Sequence, residues 1–392
     1  MKKKVPLFVL VLACVLSMLL GGLIAFAAFR HAVGPGGMSL LREQSIIENR
    51  FVGDYDPDQV RYAAEKAMID ALGDRWSYYL TPEDLQAAMS TRENNYVGIG
   101  VSISDDEKGL LITQVTPESP AAKAGLQPGE IICGVEGTPI TPANRDESVD
   151  RIRGEAGTSV RLDILDEEGT KRTLEVTRDK VQSISARWEM LEDNVALLTI
   201  ANFYTGAAKQ VSNCLTELEE AGAEALILDV RNNPGGYVTE VTKILDRLLP
   251  EGDVFRIRYY NGKETVYTSD EGCVDLPMAV LVNENSYSAA ELMAAQVHEA
   301  AGAPLVGTRT SGKGYAQNLY TLQDGSGVNL SDAKYFTGGG TSLIGTGLTP
   351  DPYIGLNYYR QWDLVLGRLD HRDDGQLQAA VRVLGENEDI SG

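Results

Sequence analysis

The chain has 392 residues, of which 43% are hydrophobic and 23% are charged, a composition typical of folded proteins rather than disordered ones. Because this length exceeds what one hydrophobic core usually organises, the sequence predicts two or more domains. The formal net charge of −21 argues against nucleic acid as a partner, since phosphate binding needs clustered Lys and Arg.

The amino terminus predicts a membrane anchor. Three lysines at positions 2–4 precede an uncharged, largely apolar run over residues 5–29, which as a helix is long enough to cross a hydrocarbon core of about 30 Å. Lysines on the short leading side place that side in the cytoplasm and the rest of the chain outside the membrane. We therefore interpret residues 1–30 as a cytoplasmic lysine cluster followed by a transmembrane helix, with a cleaved signal peptide as the alternative.

Two regions of different character follow the predicted anchor. Residues 39–90 carry apolar side chains at helical spacing, and Asp56-Pro57 is a typical helix start, so this part predicts a helical region. Over residues 95–180, short strand-like runs such as GLLITQV and SVRLDIL are separated by Gly, Pro and Asp. This pattern indicates a compact β-rich module.

Residues 185–355 alternate strand-like and helix-like runs. The strand-like runs VALLTI, ALILDV and MAVLVN are apolar almost throughout, which is typical of parallel strands that are buried on both faces and connected by helices. We therefore predict an α/β core over this range, followed by a polar helical tail over residues 356–392.

Ser288 lies where the apolar run MAVLVN passes into a helix. Free N–H groups and the positive end of the helix dipole can stabilise a developing oxyanion at such a position, so a nucleophilic serine is one interpretation. The other interpretation is structural, because Ser288-Ala-Ala-Glu291 is also a capping box that satisfies the helix end.

Lys313, within the sequence Gly-Lys-Gly, is the candidate general base. The three histidines, His31, His298 and His371, are poorly placed for a Ser-His-Asp triad. A lysine enclosed in an apolar pocket has a lowered pKa, and its neutral amine can then take the serine proton. An ordinary lysine in a solvated turn is the alternative.

The sequence LDVRNNPGG contains a third candidate feature, a tight turn at residues 233–236. Adjacent glycines after Asn-Pro expose N–H groups that can face a substrate carbonyl oxygen, although the turn can also be a plain strand-to-helix connection. All three features follow strands of one α/β unit, and sites form at such strand ends.

Several motifs together resemble those of the C-terminal processing peptidases, also called tail-specific proteases. The motifs DRWSYYLTPED, YVGIGVSI, LDVRNNPGG, LVNENSYSAAE, GTRTSGKGYAQ and GTGLTPD occur in the order of that family. The resemblance covers residues 50–355 and implies an α/β fold with a crotonase-like ββα core at 185–355 and an inserted PDZ domain at 95–180. It also implies a serine endopeptidase that uses a Ser-Lys pair.

The same resemblance implies roles for individual residues. Ser288 is the nucleophile, Lys313 is the general base, and Gln317 orients the lysine by a hydrogen bond. The backbone N–H groups of Gly235 and Ala289 form the oxyanion hole. The sequence departs from the family patterns S-A-S-A-S-E and T-F-G-K-G at positions next to these residues, which puts in doubt only how well the pocket excludes water.

The loop Gly98-Ile99-Gly100-Val101 is the expected carboxylate-binding loop of the PDZ domain. Its N–H groups would bind the free C-terminal carboxylate of a substrate, while the substrate chain adds as a strand to a sheet edge. In the family, this module can also shield or align the active site until peptide binds. A structural glycine pair in a hairpin is the alternative.

These features predict a membrane-anchored, extracytoplasmic serine endopeptidase that cleaves proteins near unstructured C-termini. The alternatives are a non-catalytic PDZ-containing peptide-binding scaffold, which need not retain the Ser, Lys and Gln, and a crotonase-like acyl-group enzyme, which predicts no PDZ insertion. We expect no metal and no other cofactor, because the sequence lacks clustered metal ligands and phosphate-binding loops. A homodimer is a further expectation, since related peptidases often assemble through helical ends such as residues 39–90 and 358–392.

Overall fold

The computed structural model describes residues 6–166 and 168–388. The predicted lysine cluster at positions 2–4 lies outside the described residues. Contacts between residues divide the chain into two units, Met1–Met68 and Ile69–Gly392. The described part of the first unit is helical, and the strands of the described residues lie in the second.

The first unit contains helix α1 (Leu7–Arg50) and all but the last two residues of helix α2 (Pro57–Asp70). Gly34, with a φ of 69°, interrupts α1 ahead of Pro35, because proline disfavours helical backbone in the residue before it. The stretch from Val11 onward has the length and apolar composition of a membrane-spanning helix, and its large apolar side chains are exposed. A signal sequence has the same properties, so membrane insertion stays a prediction.

The second unit begins with a short strand and a helix, β1 (Tyr78–Leu80) and α3 (Pro82–Arg92). The hydroxyl of Thr81 accepts a hydrogen bond from the N–H of Asp84 at 3.2 Å, which satisfies one of the free donors at the start of α3. Pro82 occupies the first turn, where no N–H donor is needed.

A β-rich module follows. Its elements are β2 (Asn95–Gly98), β3 (Val101–Asp106), β4 (Gly109–Val115), α4 (Pro120–Lys123), β5 (Ile131–Val135), β6 (Thr138–Pro139), α5 (Arg145–Ile152), β7 (Ser159–Leu165), β8 (Lys171–Thr177) and β9 (Asp179–Gln182). The main sheet has the strand order β3-β4-β5-β7-β8, while β2 and β9 pair with each other where the chain enters and leaves. Buried apolar side chains from Ile99 to Val176 form a separate core, as an inserted domain requires.

The rest of the unit alternates strands and helices. Its elements are β10 (Ala186–Met190), β11 (Val195–Ile200), α6 (Ala207–Glu220), β12 (Ala225–Asp229), α7 (Val238–Leu248), β13 (Gly252–Tyr259), β14 (Glu264–Ser269), β15 (Met278–Val282), α8 (Ala289–Ala301), β16 (Leu305–Gly307), β17 (Tyr315–Thr321), β18 (Gly327–Thr337), α9 (Tyr358–Val365) and α10 (Gly375–Glu388). One sheet has the order β10-β11-β12-β15-β16, and all neighbours in it except β10 and β11 are parallel. The predicted α/β fold class is thereby confirmed.

A second sheet pairs β1, near the start of the second unit, with strands that lie much later in the sequence. Its strand order is β1-β18-β13-β14, and β17 pairs with β18. Because Tyr78–Leu80 lies antiparallel to residues 327–329, β1 is an edge strand of this sheet. Residues 69–90, which the sequence assigned to the N-terminal helical region, therefore lie with the strands of the second unit.

Helix α10 covers one face of the parallel sheet. Its side chains Leu377, Ala380 and Leu384 are buried in one apolar cluster with the β12 side chain Ile227, while α6, α7 and α8 contribute to the cluster on the other face. The sheet is thus buried on both faces, as its apolar strands predict. The apolar side of α10 is consequently part of the core, whereas the sequence suggested a polar tail here.

A buried ionic cluster fastens α10 to the end of β12. The Arg231 guanidinium contacts Asp229 Oδ2 at 2.7 Å and Asp374 Oδ2 at 2.8 Å. It also donates to Gln376 Oε1 at 2.9 Å. Asp374 Oδ1 in turn accepts the N–H groups of Gln376 and Leu377, both at 3.1 Å, at the start of α10. A buried charge that loses its partner is costly, so removal of one member of the cluster should destabilise the fold.

We expect Asp374→Ala to lower the free energy of unfolding by about 3 kcal/mol, because it unpairs part of a buried guanidinium and removes the helix cap. The adjacent Asp373→Ala is the matched control, since Asp373 pairs with Arg360 at the exposed surface and such pairs contribute less than about 1 kcal/mol. Urea unfolding of both variants measures the difference. Equal losses for the two would contradict this description of the cluster.

Candidate active site

Ser288 begins helix α8 in a strained backbone conformation. Its φ of 54° and ψ of −113° lie in a region that residues with a side chain rarely adopt. Hydrogen bonds hold the turn before it, since Ser286 Oγ donates to the Val230 carbonyl at 2.8 Å and the Tyr287 N–H donates to the Asn233 carbonyl at 3.0 Å. Hydrogen bonds between the segments that follow β12 and β15 therefore hold Ser288 in this conformation.

A cavity of about 550 Å³ lies beside Ser288. The structure brings Ser288, Ala289, Lys313 and Gln317 together in its lining, although they come from α8, the loop after β16, and β17. Part of the remaining lining is apolar, including Val238, Val241, Ile257, Leu292 and Tyr335. Such a cavity can bind an extended apolar peptide segment beside a reactive group.

Lys313 is largely enclosed at this cavity, and its environment favours the neutral amine. Burial and, second, the positive charge of Arg92 lower the pKa of Lys313 to about 8, although the negative charges of Asp74 and Glu291 oppose this shift. The Lys313 Nζ also lies 4.9 Å from the centre of the Trp76 ring. A lysine with this pKa can act as a base near neutral pH.

Glu291 connects the serine turn to the lysine loop. Its carboxylate is fully buried and accepts the N–H groups of Ser288 at 3.1 Å, Gly312 at 2.7 Å and Lys313 at 2.9 Å. It also accepts the hydroxyl of Thr310 at 2.6 Å and that of Ser311 at 3.3 Å. The sequence indicated only the capping-box contact to Ser288, and the contacts to residues 310–313 require the folded structure.

The Asn-Pro-Gly-Gly turn packs directly against Ser288. Gly235 has a φ of 85°, and a Cβ atom there would lie 2.8 Å from the Tyr287 carbonyl oxygen and 3.1 Å from the Ala289 nitrogen, so only glycine fits. The Gly235 N–H, however, donates to Asn233 Oδ1 at 2.8 Å. Among the described residues, the N–H groups of Gly236 and Ala289 have no such acceptor, and both residues line the cavity.

Gln317 does not make the predicted hydrogen bond to Lys313 in this structure. Its Nε2 donates to the Trp76 carbonyl and, at 3.4 Å, to Ser331 Oγ. A register shift between Ala316 and Gln317 in the β17–β18 pair accompanies this orientation. The amide is therefore engaged by the segment before β1, which the sequence did not place at the site.

The predicted carboxylate-binding loop lies in the β-rich module and outside the catalytic cavity. Ile99 is buried in the core of the module, its carbonyl accepts the Ala121 N–H at 2.7 Å, and the Gly100 carbonyl accepts the Thr116 N–H at 2.9 Å. The following strand, β3, is one of the two edge strands of the main sheet of the module. An edge strand leaves backbone groups open to a further chain.

Sequence reasoning missed three residues of the site. Trp76 and Arg92 come from the segment between α2 and β2, and Glu291 was considered only as a helix cap. The only signal in the sequence for Trp76 was its position in the motif DRWSYYLTPED, which contributes to the family resemblance. Because that segment reaches the site through β1 on β18, no local pattern could place it there.

Comparisons with known proteins agree with this architecture. A model of peptidase family S41 matches residues 194–354, and a PDZ domain model matches residues 86–165. The crystal structure of a protein assigned to the S41 proteases, from Bacteroides fragilis NCTC 9343, aligns with a TM-score of 0.54 at 18% identity and covers 88% of this chain and 96% of that one. At that identity the likeness concerns the fold alone.

Two curated relatives are more similar in sequence. The carboxy-terminal processing protease CtpA of Bacillus subtilis (strain 168) is 33% identical over 78% of this chain and 66% of its own length. The carboxyl-terminal-processing protease of Synechocystis is 33% identical over 82% of this chain and 76% of its own length. The chain thus spans about two thirds of the length of the Bacillus subtilis relative.

The chain belongs to peptidase family S41, among the carboxy-terminal processing serine proteases, and it contains a PDZ domain. The resemblance that the motifs indicated is therefore confirmed.

Proposed function

We propose that this chain is a membrane-anchored, extracytoplasmic serine endopeptidase that cleaves proteins near unstructured C-termini. The proposal rests on one observation, that Ser288 in its strained turn and Lys313 with its pKa lowered to about 8 line the same cavity. With this pKa, roughly a tenth of the Lys313 amines are neutral at pH 7, whereas an ordinary lysine is neutral in fewer than about one in a thousand.

The reaction proceeds through an acyl-enzyme. The neutral Lys313 amine takes the proton of Ser288 Oγ as this oxygen attacks the scissile carbonyl carbon. Lys313 then gives the proton to the leaving amine, so the C–N bond breaks and the C-terminal fragment departs. A water molecule, deprotonated by the same amine, then attacks the ester carbonyl carbon. The protonated amine returns that proton to Ser288 Oγ as the ester C–O bond breaks, which releases the N-terminal fragment and restores Ser288.

Backbone N–H groups stabilise the oxyanion of each tetrahedral intermediate. The Ala289 N–H is one donor, and its position at the start of α8 adds the favourable helix dipole. The second donor is Gly236, or Gly235 if its N–H leaves Asn233 when substrate binds. Gln317 would orient Lys313 only if its Oε1 moves to accept a hydrogen bond from the amine, because its Nε2 is bonded to the Trp76 carbonyl.

The PDZ domain recognises the substrate terminus. N–H groups of the loop from Gly98 to Val101 bind the terminal carboxylate, and the peptide adds to the open edge of β3. This selects chains by their free ends and presents the residues upstream to the catalytic cavity. The apolar part of that cavity favours apolar residues near the scissile bond.

The experiment that tests the proposed function is cleavage of an unfolded protein with an apolar C-terminal tail. The full-length chain in detergent is compared with its Ser288→Ala and Lys313→Ala variants, and products are identified by mass spectrometry. We expect cuts near the tail with the unaltered chain alone. Equal cleavage by all three would refute the mechanism, and binding without cleavage would favour the peptide-binding scaffold.

We expect Gly100→Ala to raise KM for tail-bearing substrates several-fold. Gly100 has a φ of 87°, and an added Cβ would lie 2.2 Å from the Ser119 Cβ, so the carboxylate-binding loop must move. Gly169→Ala is the control. Gly169 also has a positive φ, of 84°, but a Cβ atom there would have no other atom within 4 Å, so this variant reproduces the backbone strain without the clash. If steady-state kinetics gives the two variants the same KM for tail-bearing substrates, the loop does not bind the carboxylate.

Anchoring and assembly complete the proposal. The exposed apolar helix from Val11 onward supports insertion into a membrane, and we infer that this helix is retained as an anchor with the catalytic unit outside the membrane. Alkaline carbonate extraction of membranes separates an anchored chain, which stays in the pellet, from a processed and released one. Homodimerisation through the helical ends stays a prediction.

A further inference from the structure

Arg92 is a cation of the catalytic cavity that the reaction described above does not use. It ends helix α3, and its side chain is half-buried in the lining that contains Ser288 and Lys313. Its Nη2 lies 3.5 Å from both the Tyr78 hydroxyl and Asn329 Oδ1, which are long contacts to neutral groups. In the described parts of the chain, no carboxylate forms an ion pair with Arg92.

The backbone of Arg92 is held in place. Its carbonyl accepts the N–H of Thr205 at 3.3 Å and the Thr205 hydroxyl at 3.2 Å. The neighbouring Asn94 is buried and donates to Ser185 Oγ at 2.7 Å. The guanidinium is therefore presented from a fixed helix end, so that only the side chain itself has to be ordered when a ligand binds.

Arg92 forms no ion pair among the described residues, although the Asp74 and Glu291 carboxylates lie close enough to act on Lys313. Glu93 also lines the cavity, but its carboxylate is exposed and accepts from Asn95 Nδ2 at 3.4 Å. Arg92 also acts on Lys313, because its positive charge helps to lower the pKa of that amine. An arginine cannot lose its charge as a lysine can, so the cavity keeps an unpaired cation whenever Lys313 is neutral.

We propose that Arg92 binds a carboxylate of the peptide substrate inside the catalytic cavity, and so makes the enzyme prefer peptides with a negative charge close to the scissile bond. The planar guanidinium donates two parallel hydrogen bonds to a carboxylate, which adds direction as well as attraction. This proposal rests on the proposed peptidase function and adds a second carboxylate site, separate from the PDZ loop. The carboxylate is either the substrate's own C-terminus or an Asp or Glu side chain.

The test uses three apolar peptides of identical length. One has a free C-terminus a few residues after the cleaved bond, one is amidated there, and one is amidated but carries Asp near the same position. For the unaltered enzyme and for Arg92→Gln and Arg92→Lys, kcat/KM for each charged peptide is divided by that for the uncharged one. The ratio within each enzyme cancels any general change in activity, including one caused by a shifted Lys313 pKa.

We expect the unaltered enzyme to favour at least one charged peptide by roughly tenfold or more, since hydrogen bonds to charged groups are strong. Arg92→Gln should lower that ratio, mainly through KM, and bring it close to one for the amidated Asp peptide, which offers the PDZ loop no free terminus; Arg92→Lys should retain part of the preference. The favoured peptide identifies the source of the carboxylate. A preference that survives Arg92→Gln unchanged, or no preference in the unaltered enzyme, would overturn the proposal.

A binding measurement separates this proposal from the proposed function. Calorimetric titration of the same peptides into Ser288→Ala and into the double variant with Arg92→Gln requires no catalysis. Weaker binding of the Asp-containing amidated peptide or of the free-terminus peptide to the double variant supports the Arg92 site even if no peptide is cut. Equal binding of both peptides to the two proteins would refute it.

Discussion

Replacing Lys313 by methionine should lower kcat/KM for peptide cleavage on the order of 10⁴-fold, because Ser288 then has no group to take its proton. Methionine keeps most of the volume of the side chain, so the cavity and its apolar lining should persist. Steady-state kinetics of purified protein with a tail-bearing peptide measures the effect. Lys263→Met is the control, since Lys263 is an exposed residue of the hairpin between β13 and β14.

The same variant should be more stable than the unaltered chain at pH 7. Lys313 has a folded pKa of about 8 against about 10.4 in an unfolded chain, so folding penalises the protonated form. The penalty is complete below pH 8, amounts to roughly 3 kcal/mol, and disappears as the pH rises through 8 towards 10.5. In urea unfolding, the free energy of unfolding of Lys313→Met should therefore exceed that of the unaltered chain at pH 7, and the difference should be smaller at pH 10. If Lys313→Met is inactive but less stable than the unaltered chain at pH 7, then folding does not penalise the protonated form of Lys313.

Replacing Glu291 by glutamine should cost about 3 kcal/mol of stability and also reduce activity. The carboxylate accepts five donors from Ser288 and from residues 310–313, whereas a glutamine offers one acceptor oxygen and turns an NH₂ group towards some of those donors. Each buried donor left unsatisfied costs about 1–3 kcal/mol. The loop that carries Lys313 should consequently lose its fixed position relative to Ser288.

A pH profile distinguishes positioning by Glu291 from mere stabilisation. The negative charge of Glu291 opposes the lowering of the Lys313 pKa, so its removal should move the apparent pKa of kcat/KM to a lower pH. Glu299→Gln on the same helix is the matched control, because Glu299 is exposed and accepts from the Gly339 N–H at 3.2 Å. Equal stability losses in both variants, with unchanged pH profiles, would show that Glu291 does not position Lys313.

The sequence predicted the parts of the site that local patterns report. Ser288 at the start of a helix, the glycine turn at residues 233–236 and the lysine loop each follow an apolar strand, and parallel strands of one sheet bring such loops together at one edge. The apolar strands also predicted a sheet that is buried on both faces. Periodicity, turn residues and strand ends were sufficient to predict the buried sheet and these three features of the site.

The partners that depend on distant segments could not be predicted in this way. Arg92 reaches the cavity, and Trp76 reaches Lys313 and Gln317, because β1 pairs with β18, and nothing in the sequence of β1 specifies that pairing. Likewise, α10 has only a short apolar stripe, and its burial follows from a sheet face that the other helices leave open. Hydrogen-bond partners such as Asn233 for Gly235 and Trp76 for Gln317 are decided by side-chain geometry alone.

The most direct measurement of the central claim is the pH dependence of Ser288 acylation. Single-turnover acylation by an activated ester, followed between pH 6 and 10, reports the group that deprotonates the serine. We expect a rate that increases about tenfold per pH unit below pH 8 and becomes constant above it, with the plateau lost in Lys313→Met. A rate that is independent of pH, or that increases steadily through pH 10 as for an ordinary lysine, would contradict a Ser288–Lys313 pair.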